Sequence, residues 1–266
     1  MLLRDADDGL EVFMLQRTLS ASFARGMFVF PGGRVDDTDD AEAFESVCDD
    51  VGDAAASARL GVERGGLAWM VAAIRECFEE AGVLLARPCD SPHVVRFDTE
   101  EVIERFNAAR HAVHEGEMSL VDLCRAEGLS LLTDQMHFVD HWVTPVGERR
   151  RFDTRFFMAK APDAQTPLHD DIETIASLWV RPVEALRMWN ARELNMFPPT
   201  AVSMKRLATF ATAAEALAEA AAQLRPEQRL PRLVLGPNEE FIDVILPNQD
   251  GYETTPIPEF VIPNPR

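Results

Sequence analysis

The segment Arg75-Glu76-Cys77-Phe78-Glu79-Glu80-Ala81-Gly82 carries the spacing in this chain most suited to chemistry. On a helix, Glu76, Glu79 and Glu80 stand at i, i+3 and i+4, with Cβ atoms roughly 5–6 Å apart. Like charges so placed repel, and the helix loses stability unless a cation sits among them. Hard divalent ions take several oxygen ligands, and Mg²⁺ keeps waters and shares its shell with substrate phosphates. Three carboxylates on one helical face therefore form a candidate half-site for Mg²⁺ or Mn²⁺. The bland alternative is a solvated acidic face. The added Arg75 and Gly82 weigh against it: five fixed positions at about 6% usage each coincide by chance with a probability of order 10⁻⁴ in such a chain.

The elements that must hold these residues can be read from periodicity. Met70, Ile74, Cys77, Phe78 and Ala81 share an apolar stripe, which predicts a helix over Leu67–Ala81 ended by Gly82. Leu2–Arg4 and Val12–Arg17 flank Asp7-Asp8-Gly9, a hairpin signal. Met27–Phe30 reads as a strand stopped by Pro31-Gly32-Gly33. Residues 35–57 hold Asp36, Asp37, Asp39, Asp40, Glu42, Glu45, Asp49, Asp50 and Asp53 without a Lys or Arg, and are expected to be a solvated, mobile insertion of helix and loops. Helices are expected at Glu100–His114, Ser119–Glu127, Pro182–Trp189 and, from its alanines, Ala201–Gln223. Strands are expected at Met136–Thr144, Phe152–Ala159 and Thr174–Val180, and an extended tail from Pro231. The pattern is α/β.

Composition narrows the partners. The 266 residues include 45 Asp and Glu against 26 Lys and Arg, a net charge of −19 that argues against binding nucleic acid or an anionic membrane. A phosphorylated small molecule stays within reach if a divalent metal supplies the positive charge. The longest apolar run, Leu67 to Ile74, is about half of what a transmembrane helix needs. The first residues lack the cationic start and apolar centre of a signal peptide. Cys48, Cys77, Cys89 and Cys124 have no Cys-x-x-Cys spacing and are expected to be reduced thiols. Together these features predict a cytoplasmic location.

Arg75-Glu76-x-x-Glu79-Glu80-x-Gly82-Val83 resembles the helical half of the Nudix box, G-x5-E-x7-R-E-U-x-E-E-x-G-U, and Phe30-Pro31-Gly32-Gly33 resembles the loop that opens it. Gly33 and Arg75 are 42 positions apart where the motif prescribes 14, so 28 residues are inserted. The motif's middle Glu would fall at Asp39, and Cys77 replaces an aliphatic residue. A box split in this way is similar to that of the nucleoside-diphosphate-linked moiety X motif 19 group, which includes coenzyme A diphosphatases. Supporting pieces are His141-Trp142-Val143-Thr144-Pro145, Arg150-Arg151-Phe152-Asp153-Thr154-Arg155-Phe156-Phe157 and Pro198-Pro199-Thr200.

The resemblance implies a Nudix fold, a mixed sheet sandwiched between helices. The hydrolase domain would occupy 1–200 with insertions at about 40–66 and 99–130. A helical C-terminal extension and tail, 201–266, would pack on the same domain. It implies that Gly32 (through its carbonyl), Glu79 and Glu80 bind Mg²⁺ or Mn²⁺, that Glu76 is a ligand or the base that activates water, and that Arg75 orients a box glutamate. Glu173, just before the strand at 174–180, is the candidate further ligand or base. Arg151 and Arg155, from the cluster with Arg149 and Arg150, are candidates for the substrate's other phosphates, for which Arg's planar fork is suited. Arg17 matches the coenzyme A-type signature L-L-T-x-R-[SA]-x3-R-x3-G-x3-F-P-G-G; Thr18 and Ser22 depart from it, and Arg25 is the candidate substitute for the missing second Arg. The implied activity is metal-dependent hydrolysis of a diphosphate linkage in coenzyme A or acyl-coenzyme A. Nucleotide sugars, ADP-ribose and dinucleotides are alternative substrates, and a non-catalytic ligand sensor is the competing class. The Ala-rich helix could serve a homodimer, although packing on its own sheet is the preferred use.

Overall fold

A hairpin that starts the chain sets up the sheet. Strand β1 (Leu2–Ala6) turns at Asp7-Asp8 into β2 (Gly9–Arg17), with Ala6 opposite Gly9. Gly9 adopts φ +111°, a conformation that residues with a Cβ rarely take. The computed structural model describes residues 1–19, 24–48, 51–170, 173–238 and 240–258; Ser22, Asp49, Asp50, Asp171 and Ile172 lie outside the described residues. The chain separates into two units: Met1–His137 with Phe157–Gln223, and Phe138–Phe156 with Leu224–Arg266.

In the first unit β2 pairs antiparallel with β1, with β3 (Phe28–Val29) and with β8 (Thr174–Val180). β1 pairs in parallel with the end of β7 (Asp153–Lys160), Leu2 opposite Ala159. The sheet is therefore mixed, as expected. Leu10, Val12, Phe13, Met14 and Leu15 of β2 are all buried, so this strand is covered on both faces. Helices α1 (Ala41–Glu45), α2 (Asp53–Leu60) and α3 (Gly66–Ala81) follow β3. A short ladder pairs β4 (Ala86–Pro88) with β5 (Leu129–Leu131), and between them lie α4 (Glu100–His114) and α5 (Leu120–Glu127). α6 (Pro182–Asn190) packs on β2, α7 (Pro198–Leu207) packs on α6, and α8 (Ala213–Ala222) packs on β1.

Two expectations change. The Ala-rich stretch is not one helix from 201 to 223. Leu10 donates its N–H to Ala211 O, Asp5 accepts the N–H of Ala213, and the Thr212 hydroxyl caps a new helix by accepting from Glu215. These bonds to β1 and β2 outweigh alanine's helix propensity and split it. The acidic stretch is not solvated throughout either: Phe44, Val47, Val51 and Ala56 are buried, as is the carboxylate of Asp39. Alternating small and apolar residues among the acids give α1 and α2 an inward face.

In the second unit the strand order is β7, β6 (His137–Val143), β9 (Gln228–Arg229), with β6 and β9 parallel. Asp140 anchors it, accepting from Arg229 Nε at 2.8 Å and from Trp142 Nε1 at 2.8 Å. The tail beyond Pro231 is extended but paired, β10 (Arg232–Leu235) lying antiparallel to β11 (Phe241–Ile245). Among the described residues no helix is long and apolar enough to cross a membrane.

Candidate active site

Helix α3 begins one residue earlier than its hydrophobic stripe suggested and stops at Gly82, whose φ of +67° and N–H bonded to Phe78 O end it in a left-handed cap. Its N-terminus is fastened by a residue of α2. Asp53 accepts the N–H of Leu67 and of Gly65, both at 2.9 Å, and Gly66 donates to Ser57 Oγ. A Cβ on Gly66 would overlap the Ser57 backbone, so α2 and α3 touch there through glycine. Burial of Asp53 favours its neutral form, but the donors at Leu67 and Gly65 outweigh it and hold this carboxyl below its ordinary range.

Arg75 organises the first part of the site. Its Nε and Nη2 grip both oxygens of buried Asp39 at 2.9 Å, and Nη2 also donates to Arg34 O at 2.7 Å. Nη1 reaches Glu76 Oε1 and Glu79 Oε1, each at 3.1 Å. One guanidinium thus ties the loop after β3 to two glutamates of α3. Burial opposes its charge, yet Asp39, Glu76 and Glu79 raise its pKa further above the ordinary arginine value.

The Pro-Gly-Gly bend closes over the carboxylates. Gly32 donates its N–H to Glu80 Oε2 at 2.9 Å and Arg34 donates to Glu76 Oε1 at 3.1 Å. Gly32 has φ +150°, and a Cβ on Gly33 would overlap the Glu76 carboxylate. Gly32 is therefore favoured by its backbone angle, and at Gly33 any side chain would push the Glu76 carboxylate from its place. Glu80 is only 3% exposed. Burial is the main reason that its carboxyl rises to about 8, with Glu76 and Glu173 adding repulsion; burial likewise lifts Glu76 to about 7. Arg17 stands between two acids, with Nη1 3.8 Å from Glu80 and Nη2 3.5 Å from Glu173.

The glutamates do not project into water on the outer face of a lone helix; the bend, Arg75 and, beside Glu80, Arg17 of β2 enclose them. This also explains why the acidic spacing survives: neighbouring cations and backbone donors offset part of the repulsion.

The chain matches the NUDT19 Nudix domain over residues 55–207, more than half its length. It belongs to the Nudix hydrolase family, in the NUDT19 group. It is 28% identical to the human acyl-coenzyme A diphosphatase NUDT19 over 235 residues, covering 77% of this chain and 62% of that protein. The Xenopus laevis acyl-coenzyme A diphosphatase NUDT19 is 27% identical over 76% of this chain and 60% of its own length. This chain thus spans about three fifths of those relatives. A crystal structure of a Nudix hydrolase from Alicyclobacillus acidocaldarius superposes with a TM-score of 0.65 at 25% identity, covering 82% of this chain and 92% of that one.

The Nudix helix and its opening loop, 42 positions apart in sequence, are thus brought into direct hydrogen bonding. Asp39, where the motif has its middle glutamate, serves here as the partner of Arg75. Glu173 lies beside Arg17 and is half exposed; the Gly32 group seen against the Nudix helix is its N–H. Arg25 is exposed. Arg151 and Arg155 belong to the second unit, where Arg151 Nε donates to Thr144 O and Arg155 Nη1 to Asp153. His169 packs its Nδ1 3.2 Å from Ser177 Oγ. Two residues that sequence reasoning passed over also reach the Nudix helix, Arg110 and His114 of α4. Their i, i+4 spacing on a helix with inward Phe106 and Val113 was the only signal.

The donor chemistry fits a hard divalent ion. Glu76 and Glu80 are held under backbone donors of the bend, burial raises both carboxyls, and a bound cation would favour their charged forms. Among the described residues no group of three His, Cys, Asp or Glu side chains is arranged so that it could hold a metal ion. An open half-site completed by waters and phosphate oxygens is the arrangement that Mg²⁺ ordinarily takes.

Proposed function

We propose that the chain hydrolyses the diphosphate linkage of coenzyme A or an acyl-coenzyme A with Mg²⁺ or Mn²⁺. The single observation that carries this reading is the enclosure of Glu76 and Glu80 under the Gly32–Gly33–Arg34 bend. The similarity to proteins named acyl-coenzyme A diphosphatases supports the substrate class. A diphosphate bridge resists attack because its oxygens are already negative. A bound divalent ion supplies the neutralising charge and a more acidic water.

The chain's residues do the rest. Glu79 and Glu80 would hold the ion, and Glu76 would be a further ligand or the base that accepts a proton from water. Arg75 keeps Glu76 and Glu79 in register through Nη1, while its grip on Asp39 prevents it from swinging away. Arg17 faces Glu80, and its buried Nε has no hydrogen-bond partner among the described residues, which suits a phosphate oxygen of the substrate. Glu173 receives Arg17 from the other side. Arg25 is the other candidate phosphate contact in the first unit, and Arg151 and Arg155 are the candidates that the second unit carries.

The test is turnover on a panel of coenzyme A, acyl-coenzyme A, ADP-ribose, nucleotide sugars and dinucleotides, with and without chelator. Release of an adenosine bisphosphate from coenzyme A, abolished by chelation, is the expected result. Turnover restricted to another member would reassign the substrate. No metal-dependent turnover on any of them would favour a ligand sensor.

A further inference from the structure

We propose that Arg110, on the second insertion, is a positioning residue for Glu79 of the Nudix helix; this rests on the reading of α3 as the metal-binding helix. The C-terminal turn of any α-helix exposes carbonyls that need donors, and its dipole places negative charge there. In α3 this turn is unusually costly. It has no basic residue of its own and carries Glu79 and Glu80 instead. The missing positive charge arrives from α4. Arg110 Nε donates to Glu79 O at 2.8 Å, and Nη2 donates to Leu168 O at 3.2 Å. Leu168 in turn donates its N–H to Ala81 O at 3.0 Å.

One guanidinium therefore links the backbone of Glu79 to the segment five residues ahead of Glu173. The fork of Arg allows both bonds at once, which a lysine ammonium on its single point of charge does not match. A Cβ on Gly82 would come within 3.1 Å of Arg110 Nη1, so the helix cap and the guanidinium are fitted to each other. One turn further along α4, His114 Nδ1 stands 3.8 Å from Glu79 Oε2. The insertion thus reaches both the backbone and the carboxylate of one glutamate. Fixing the Glu79 backbone fixes where its carboxylate can point, the kind of support whose loss lowers metal affinity or activity by about 10–100-fold.

The experiment measures Mn²⁺ affinity by electron paramagnetic resonance without substrate, alongside kcat and KM. The proteins are wild type, Arg110→Gln, Arg110→Lys and Arg105→Gln. Arg105 pairs with Glu127 at 3.2 Å within the insertion and, among the described residues, makes no hydrogen bond or ion pair to α3, so its loss reports on the insertion alone. Arg110→Gln is expected to weaken Mn²⁺ binding and lower kcat by about tenfold or more with KM changed far less, Arg110→Lys to fall between, and Arg105→Gln to match wild type in both. Arg110→Gln and Arg110→Lys with wild-type Mn²⁺ affinity would overturn the proposal, as would an equal loss in Arg105→Gln. If Arg110→Gln does not melt cooperatively, Arg110→Lys decides. Wild type that binds Mn²⁺ but turns over none of the panel would refute the hydrolase reading and leave the Mn²⁺ comparison valid. Wild type that binds no Mn²⁺ would refute both.

Discussion

Glu79 and Glu80 differ by one position and by environment. Glu79 is tied to Arg75 through a side-chain bond, whereas Glu80 lies deep under the bend. Glu79→Gln keeps the shape and removes one of the repelling charges, so it should lower kcat by several powers of ten while leaving the melting temperature unchanged or higher. Near-normal turnover would remove Glu79 from the ligand set. A second prediction concerns pH in chelator. Folded Glu76 and Glu80 titrate at about 7 and about 8, above the ordinary value of 4.5. Between those values the folded protein holds protons that the unfolded chain has released, so stability falls as pH rises from about 5 to about 8, by up to about 1.4 kcal/mol per pH unit for each carboxylate. Thermal melts of wild type and Glu80→Gln across this range check it: the variant should show the shallower fall, and saturating Mg²⁺ should raise the wild-type melting temperature more at pH 8 than at pH 6.

At the scale of elements, the start of α3 depends on α2. Asp53→Ala leaves the N–H groups of Gly65 and Leu67 without their acceptor and should cost about 0.5–2 kcal/mol, seen in urea unfolding. Because the folded Asp53 carboxyl is held below its ordinary range, its contribution is present above the unfolded pKa and disappears as pH falls through the folded one. The difference between wild type and Asp53→Ala should therefore shrink in acid, and a constant difference would place the effect elsewhere. The helices at 100–114 and 120–127 and the strands at 137–143 and 174–180 were legible because periodicity, capping Ser and Thr residues and the surrounding breakers agreed. The break at 208–212 was not, because an acceptor on β1 and a donor on β2 create it.

At the scale of the whole chain, the acidic insertion belongs to the core. Removing residues 40–60 deletes buried Phe44, Val47, Val51 and Ala56 together with the Asp53 cap, so the expected outcome is loss of cooperative melting rather than an altered substrate range. The milder Phe44→Ala should cost about 3–5 kcal/mol. What the sequence determined alone was the Nudix helix, its cap and the identity of its carboxylates, because residues on one helical turn are neighbours by covalent geometry. It also marked the Pro-Gly-Gly bend through the turn chemistry of proline and glycine. Only the tertiary structure decided that the bend closes on that helix across the inserted residues, that Asp39 turns inward to hold Arg75, and that Arg110 crosses from a second insertion to the last turn. Such contacts depend on how chain segments distant in sequence pack, and a one-dimensional pattern of residue types does not encode those distances.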